Sequence, residues 1–83
     1  MNTQQTQVAV EDSNGRHHDV AVGMLEGYIE RMSDPECSAL AVRASANTAL
    51  LIFRTLSIIS ASEDLTYTER LNRKYAIRQG RSE

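Results

Sequence analysis

The sequence predicts an all-α fold: a long central helix in an antiparallel helical hairpin, with a short C-terminal helix beside it. Apolar residues recur at helical spacing in three separate segments. The only proline, Pro35, divides the first segment from the second. Between Pro35 and Ser60 there is no glycine and no further proline, which is typical of one long helix. The composition of the 83-residue chain, 41% hydrophobic and 24% charged, is that of a globular domain.

The N-terminal segment, residues 1–18, is expected to form either a flexible arm or a short β-hairpin. Residues 1–7 are polar and have no apolar anchor, which favours a flexible arm. The dipeptide Asn14-Gly15 is typical of a type I′ hairpin turn and would join strands around Val8–Val10 and Val20–Val22. Because two strands alone are only marginally stable in water, both interpretations stay open.

The first helix is predicted to begin at Asp19, or as late as Met24 if the arm is disordered, and to end near Met32. Gly23 and Gly27 each lower helix stability by about 1 kcal/mol relative to alanine, and together they favour close approach of another helix. The apolar stripe that predicts this helix consists of Val20, Met24, Leu25, Tyr28, Ile29 and Met32.

The second helix is predicted to run from Pro35 to about Ser60. Ser33 and Glu36 have the spacing of a capping box, and alternatively Asp34 is the N-cap with Pro35 in the first helical position. The first half of this helix carries small residues, and the second half carries large ones. The small residues include Ser38, Ala41, Ala44, Ser45 and Ala49, and the large ones are Leu50, Leu51, Ile52, Phe53, Leu56, Ile58 and Ile59.

This long helix predicts an oligomeric bundle. A helix of 26 residues would be about 39 Å long, whereas a compact monomer of this size has a radius of gyration of about 12 Å. Two short flanking helices cannot cover its large apolar half, so we expect a second copy of the chain to do so, most simply in a dimer. The residues predicted at the oligomer interface are Leu51, Ile52, Leu56 and Ile59.

The third helix is predicted over Tyr67–Gln79, after a turn at residues 62–64. Thr66 and Glu69 have the spacing of a capping box, and Gly80 would end the helix. The helical domain therefore spans residues 19–80, and residues 81–83 are a tail. Its apolar residues Tyr67, Leu71 and Tyr75 share one face and are expected to dock on the second helix.

The charges divide along the chain. Residues 1–36 carry seven acidic side chains against two arginines, while basic residues crowd into the third helix. A basic face of this kind either packs near the acidic front, stays solvated, or binds an acidic protein or nucleic acid. The candidate partner-binding residues are Arg70, Arg73, Lys74, Arg78 and Arg81.

No motif points to catalysis, a cofactor or a metal. The single Cys37 and the adjacent His17 and His18 lack the spacing of a zinc site, and no phosphate-binding or nucleophile motif occurs. No apolar run approaches the length of a membrane span, and the polar N-terminus does not resemble a secretory signal. With one cysteine, which favours a reducing compartment, we expect a cytoplasmic protein.

The predicted function is stoichiometric binding to a macromolecule, a protein in the first place, as a regulator, inhibitor or adaptor and without enzymatic activity. The alternative is a nucleic-acid-binding module that uses the basic third helix. A further alternative is a sponge for small molecules of the nucleotide type at an oligomer interface. Leu40-Ala41, Ala49 and Arg54, on a helix after a proline-marked turn, resemble small phage helical-hairpin proteins. Some of those sequester cyclic nucleotide signals as oligomers, and the resemblance implies that a stoichiometric binder fits a chain of this size.

Overall fold

A computed structural model describes the backbone of residues 2–82 and the side chains of residues 15–80, and within these limits the chain is all α. Its helices are α1 (Asn2–Met32), α2 (Ala39–Thr55) and α3 (Ala61–Ser82), and each packs against the other two. His18 and Glu63 meet at one end of the α1–α3 pair, and Met32 and Arg78 meet at the other. Helices α1 and α3 therefore run parallel, and α2 runs antiparallel to both.

The core is one cluster to which all three helices contribute. On α1 the buried residues Leu25, Ile29 and Met32 belong to the predicted stripe, because their spacing places them on one side of the helix. Val20 and Met24 do not join them: they are 59% and 42% exposed on a neighbouring face. The core residues are Ala21, Leu25, Ile29, Met32, Ala39, Val42, Ala46, Leu50, Ile59, Tyr67 and Leu71.

Helix α1 begins well before either predicted start. Residues 15–18 are already helical, so Asp19 does not cap the helix. The segment Val20–Val22, the second strand of the alternative hairpin, is helical as well, and the hairpin is not confirmed. The physical reason is burial: the helical conformation places Ala21 in the core, which an isolated pair of strands could not do. The side chains of residues 1–14 lie outside the described part of the chain.

The prediction that α2 begins at Pro35 is wrong by four residues. The Asp34 side chain accepts a hydrogen bond from the backbone N–H of Glu36 at 2.9 Å and closes a tight turn instead of starting a helix. Ser38, in extended conformation, is the N-cap, and its Oγ accepts from the N–H of Ala41 at 3.2 Å.

Helix α2 also ends early, at Thr55 rather than near Ser60. Leu56 is the C-cap, and Ser57 follows with a φ of 58°, the left-handed conformation that often ends a helix. With 17 residues α2 is about 26 Å long. The expected overhang of a longer helix is therefore absent, and helix length no longer argues for an oligomer.

Helix α3 starts six residues before the prediction, because a different capping box is used. The Ser60 N–H donates to Glu63 Oε1 at 2.8 Å, and the Glu63 N–H donates to Ser60 Oγ at 3.0 Å. The predicted turn at residues 62–64 is instead the first turn of the helix, where its acidic side chains suit the helix dipole. At the other end the helix continues through Gly80 to Ser82. Tyr67 and Leu71 of the predicted docking face are buried, but in the core that all three helices share rather than against α2 alone.

Candidate interaction surface

An open apolar groove lies between α1 and α2. It has a volume of about 460 Å³. Met24 and Tyr28 form its α1 side, and the half-buried Phe53 lies on its α2 side. The lining residues are Met24, Tyr28, Ala44, Ser45, Thr48, Ala49, Ile52 and Phe53. A concave apolar surface with few polar groups is the usual form of a binding site.

The groove continues onto the exposed side of α2, which we call the α2 outer face. Leu40, Leu51 and Leu56 are each about two-thirds exposed, at 66%, 68% and 65%. Exposed leucines occur singly on most proteins, but Leu40 and Leu51, about three helical turns apart, share one side of α2, and exposed apolar patches mark interaction sites. The α2 outer face consists of Leu40, Ala41, Ala44, Ser45, Thr48, Leu51, Ile52, Thr55 and Leu56, and the exposed Asn47 and Arg54 border it on the side towards α3.

No charged side chain belongs to the α2 outer face. The two charged residues of α2, Arg43 and Arg54, are both directed at α3: the Arg43 guanidinium lies 4.6 Å from the centre of the Tyr75 ring, and Arg54 Nε lies 3.3 Å from Asp64 Oδ2. The solvated face of a surface helix normally carries charged residues. An exposed helix face without them is therefore typical of an interface.

Two threonines of the α2 outer face bond their hydroxyls to carbonyls of their own helix. Thr48 Oγ1 donates to the carbonyl of Ala44 at 3.0 Å, and Thr55 Oγ1 donates to the carbonyl of Leu51 at 2.7 Å. Because these hydroxyls are satisfied within the helix, covering them requires no new hydrogen bond. The face is consequently less polar than its sequence indicates.

Two glycines leave a low strip on α1 beside the groove. A Cβ at Gly23 would meet nothing within 4 Å, and one at Gly27 would meet only Arg31 Nη1, at 3.9 Å. Neither glycine is thus required by packing inside the chain, although each weakens an α-helix.

The predicted interface residues do not all reach this surface. Leu51, Ile52 and Leu56 lie on the α2 outer face, where Ile52 is 48% exposed. Ile59 is only 2% exposed and packs in the chain's own core. The early end of α2 explains the difference, because the loop after Leu56 carries Ile59 back over the core.

Arg70, one of the predicted partner-binding residues, holds α3 to α1. Its Nη1 donates to Glu26 Oε2 at 2.7 Å and its Nη2 to Glu26 Oε1 at 2.9 Å, a bidentate pair. The Tyr67 hydroxyl donates to the same carboxylate at 3.2 Å. These bonds lower the pKa of Glu26, chiefly through Arg70, and raise the pKa of Arg70. The pKa of Tyr67 is raised, first by burial and then by its bond to Glu26.

Arg78 is likewise committed within the chain. Its Nη1 donates to the carbonyls of Met32 at 3.0 Å and Asp34 at 2.9 Å, and its Nη2 donates to the carbonyl of Cys37 at 2.9 Å. The Arg78 guanidinium therefore binds three backbone carbonyls along the connection between α1 and α2. Of the other candidates, Arg73 and Lys74 are exposed, and the side chain of Arg81 lies outside the described part.

The described residues include one polar cluster that sequence analysis missed. His18 Nε2 lies 2.6 Å from Glu63 Oε2, at the N-terminus of α3. The Glu63 carboxylate also caps that helix, and the backbone bond from Ser60 is the main cause of its lowered pKa, with His18 second. The Ser60-x-x-Glu63 spacing was the available signal, and Thr66-x-x-Glu69 competed with it.

Between residues 15 and 80, no group of three or more histidine, cysteine, aspartate or glutamate side chains is placed to hold a metal ion. Cys37 is half-buried, with Sγ 3.7 Å from Asp34 Oδ2. No helix in the described chain is long and apolar enough to cross a membrane.

Comparison with protein-family models, with curated proteins and with solved structures found no significant match to this chain.

Proposed function

We propose that this protein acts without catalysis, as a stoichiometric binding protein that receives an α-helix on the α2 outer face and in the adjoining groove. The observation that carries the proposal is the exposed, uncharged side of α2, flanked by an apolar groove of about 460 Å³. An amphipathic helix laid in an apolar groove is one of the common modes of protein recognition. A regulator, inhibitor or adaptor would work in this way.

The proposal includes assembly as a homo-oligomer, in which a second copy covers Leu51, Ile52 and Leu56 until a partner helix takes its place. Left alone in water, these apolar side chains stay between 48% and 68% exposed. A cytoplasmic location agrees with the single half-buried Cys37.

Protein is favoured over nucleic acid as the partner, because some of the candidate basic side chains of α3 are bonded within the chain and only the others are exposed. Arg70 is bonded to Glu26, and Arg78 binds backbone carbonyls. Arg73 and Lys74 are the exposed basic side chains of α3 among residues 61–80. Phosphate recognition with a strong salt dependence normally uses more contacts than these two.

A fluorescent amphipathic peptide tests the proposal. The peptide should be about 18 residues long with one leucine–alanine face, and binding is followed by anisotropy. We expect saturable one-to-one binding per accessible face that changes little between low and high salt. Thr48→Glu places a charge on the α2 outer face and should weaken binding at least tenfold, while Asn72→Glu on exposed α3 should not.

Equal binding by the Thr48→Glu and Asn72→Glu variants would contradict the proposal. It would also be contradicted if the peptide did not bind and a single-stranded oligonucleotide did, with affinity falling steeply with salt and lost on Arg73→Ala together with Lys74→Ala. That result would establish the nucleic-acid alternative.

A further inference from the structure

We propose that the helix received in the α1–α2 groove carries an acidic side chain at one end, and that Arg31 of α1 binds this side chain. The inference rests on the proposed function and names the charge of the partner at that same surface.

A second hollow adjoins the apolar groove on the outer side of α1. It has a volume of about 450 Å³. Met24 and Tyr28 line this hollow and the groove alike, so a partner helix seated on these two side chains contacts both. The residues that line the second hollow are Val20, Gly23, Met24, Gly27, Tyr28 and Arg31.

In the described part of the chain, Arg31 is the one charged residue that lines either hollow. Its guanidinium lies 5.8 Å from the centre of the Tyr28 ring, a distance typical of a cation–π contact. Its Nη1 also lies 3.9 Å from the position that a Cβ on Gly27 would occupy. The side chain is therefore folded back along α1, over residues that line the hollow, and its charge lies beside the apolar surface.

Among the described side chains, no carboxylate lies within ion-pair distance of Arg31. The ion pairs between these residues are made by His18, Arg54 and Arg70, each with an acidic side chain of another helix. An anionic group on a partner would therefore bind Arg31 without displacing an ion pair among the described residues.

The acidic residues nearest to Arg31 in sequence do not enter the two hollows. Glu30 lies about 100° around the helix from Arg31 and lines neither of them. The Asp34 carboxylate accepts a hydrogen bond from the backbone N–H of Glu36 and belongs to the turn after α1. The charge that the surface presents to a partner is consequently positive.

These charges specify the chemistry of the partner. Arg31 lies in the last turn of α1, so the helix that fits is apolar along its length and acidic at one end. Complementary charges at the rim of an interface select partners and fix their orientation more than they add affinity. An anionic membrane is a poorer match, because both hollows are concave and the chain has a formal net charge of −2.

A set of amphipathic peptides tests the inference. The peptide described above is made with glutamate, glutamine or lysine in its last turn, beside the apolar face. A second set carries the same three residues in the first turn, so that both directions of the bound helix are tested. Anisotropy gives the affinity of each peptide for the full-length wild type, Arg31→Gln, Arg31→Glu and Arg73→Gln, the last being a control at an exposed arginine of α3.

In one of the two sets, the glutamate peptide should bind the wild type about two- to fivefold more tightly than the glutamine peptide, as expected for a partly exposed ion pair. Arg31→Gln should abolish this preference, Arg31→Glu should favour the lysine peptide, and Arg73→Gln should keep the wild-type order. The comparison between protein variants cancels any effect of the substituted residue on the helicity of the peptide itself.

Equal binding of the glutamate and glutamine peptides in both sets, or a preference that persists in Arg31→Gln, would overturn the inference, while the proposed function would stand. The inference would also be overturned in favour of a membrane if the wild type bound phosphatidylglycerol vesicles, lost that binding in Arg31→Gln, and did not distinguish the peptides. Absence of binding by every peptide would overturn both the inference and the proposed function.

Discussion

Arg70 and Glu26 form a bidentate ion pair that joins α3 to α1, with nitrogen–oxygen distances of 2.7 and 2.9 Å. The pair joins the acidic front of the chain to its basic end. It is about 40% exposed, and exposed ion pairs contribute at most about 1 kcal/mol. Both Nη atoms of Arg70 are bonded to Glu26, so binding a partner's anionic group through them requires that this pair be broken.

Acid should weaken the fold through Glu26 and Glu63. Both carboxyls have a pKa lowered by folding, so the unfolded chain binds more protons than the folded one at acid pH. Their contribution is complete above the ordinary carboxyl pKa of about 4.3 and is lost as the pH falls through the lower folded values. Urea unfolding at pH 7, 5 and 3 should show a falling midpoint below pH 5. With Glu26→Gln and Glu63→Gln combined, the decrease should be smaller, and an unchanged decrease would refute the assignment.

Arg78→Ala should destabilise the chain, whereas Arg73→Ala should not. Arg78 binds three carbonyls of the turn after α1, and hydrogen bonds from charged donors contribute about 1.5–3 kcal/mol in favourable cases. We expect a loss of about 1–2 kcal/mol for Arg78→Ala and less than about 0.5 kcal/mol for the exposed Arg73. Thermal unfolding of the two variants makes the comparison, and equal midpoints would show that the turn does not depend on Arg78.

Leu71 and Leu65 form a matched pair on α3. Leu71 is 2% exposed and Leu65 is 61% exposed. Leu71→Ala should lower the free energy of unfolding by about 2–5 kcal/mol, because it removes buried methyl groups and leaves a cavity. Leu65→Ala should change it by less than about 0.5 kcal/mol. Similar effects in chemical denaturation would mean that α3 is not docked on the other helices.

Gly23→Ala should stabilise the helix. A Cβ at this position meets no atom within 4 Å, so the change gains helix propensity without a clash, by about 0.5–1 kcal/mol. Differential scanning calorimetry should show a higher Tm. A lower Tm would reveal that another molecule approaches α1 closely at this position in solution.

Sequence patterns predicted the helical class and much of the core, and failed where several local signals competed. Leu25, Ile29 and Met32 follow from helical periodicity alone. Ser33, Asp34 and Ser38 are all plausible N-caps for α2, and local sequence does not choose among them. The choice depends on the turn that Asp34 closes and on the distant Arg78, which binds its carbonyls.

Sequence periodicity placed residues on the candidate surface only where it also placed them in the correct helix. Leu51 and Ile52 lie within α2 under either set of helix bounds, so their shared surface could be inferred from periodicity. Ile59 could not be placed, because its orientation depends on where the helix ends, which is at Thr55, two residues before Ser57 with its positive φ. The commitment of Arg70 and Arg78 within the chain depends on contacts more than 40 residues away in sequence.

The molar mass of the protein in solution is the most direct test that the uncharged side of α2 is an interface. Light scattering at low micromolar concentration should give twice the chain mass of 9.3 kDa for the wild type and for Asn72→Glu. Thr48→Glu should give a folded, helical monomer, because a charge would be buried without a partner in the interface between copies. A wild type that is monomeric, or a Thr48→Glu variant that keeps the wild-type mass, would contradict the claim.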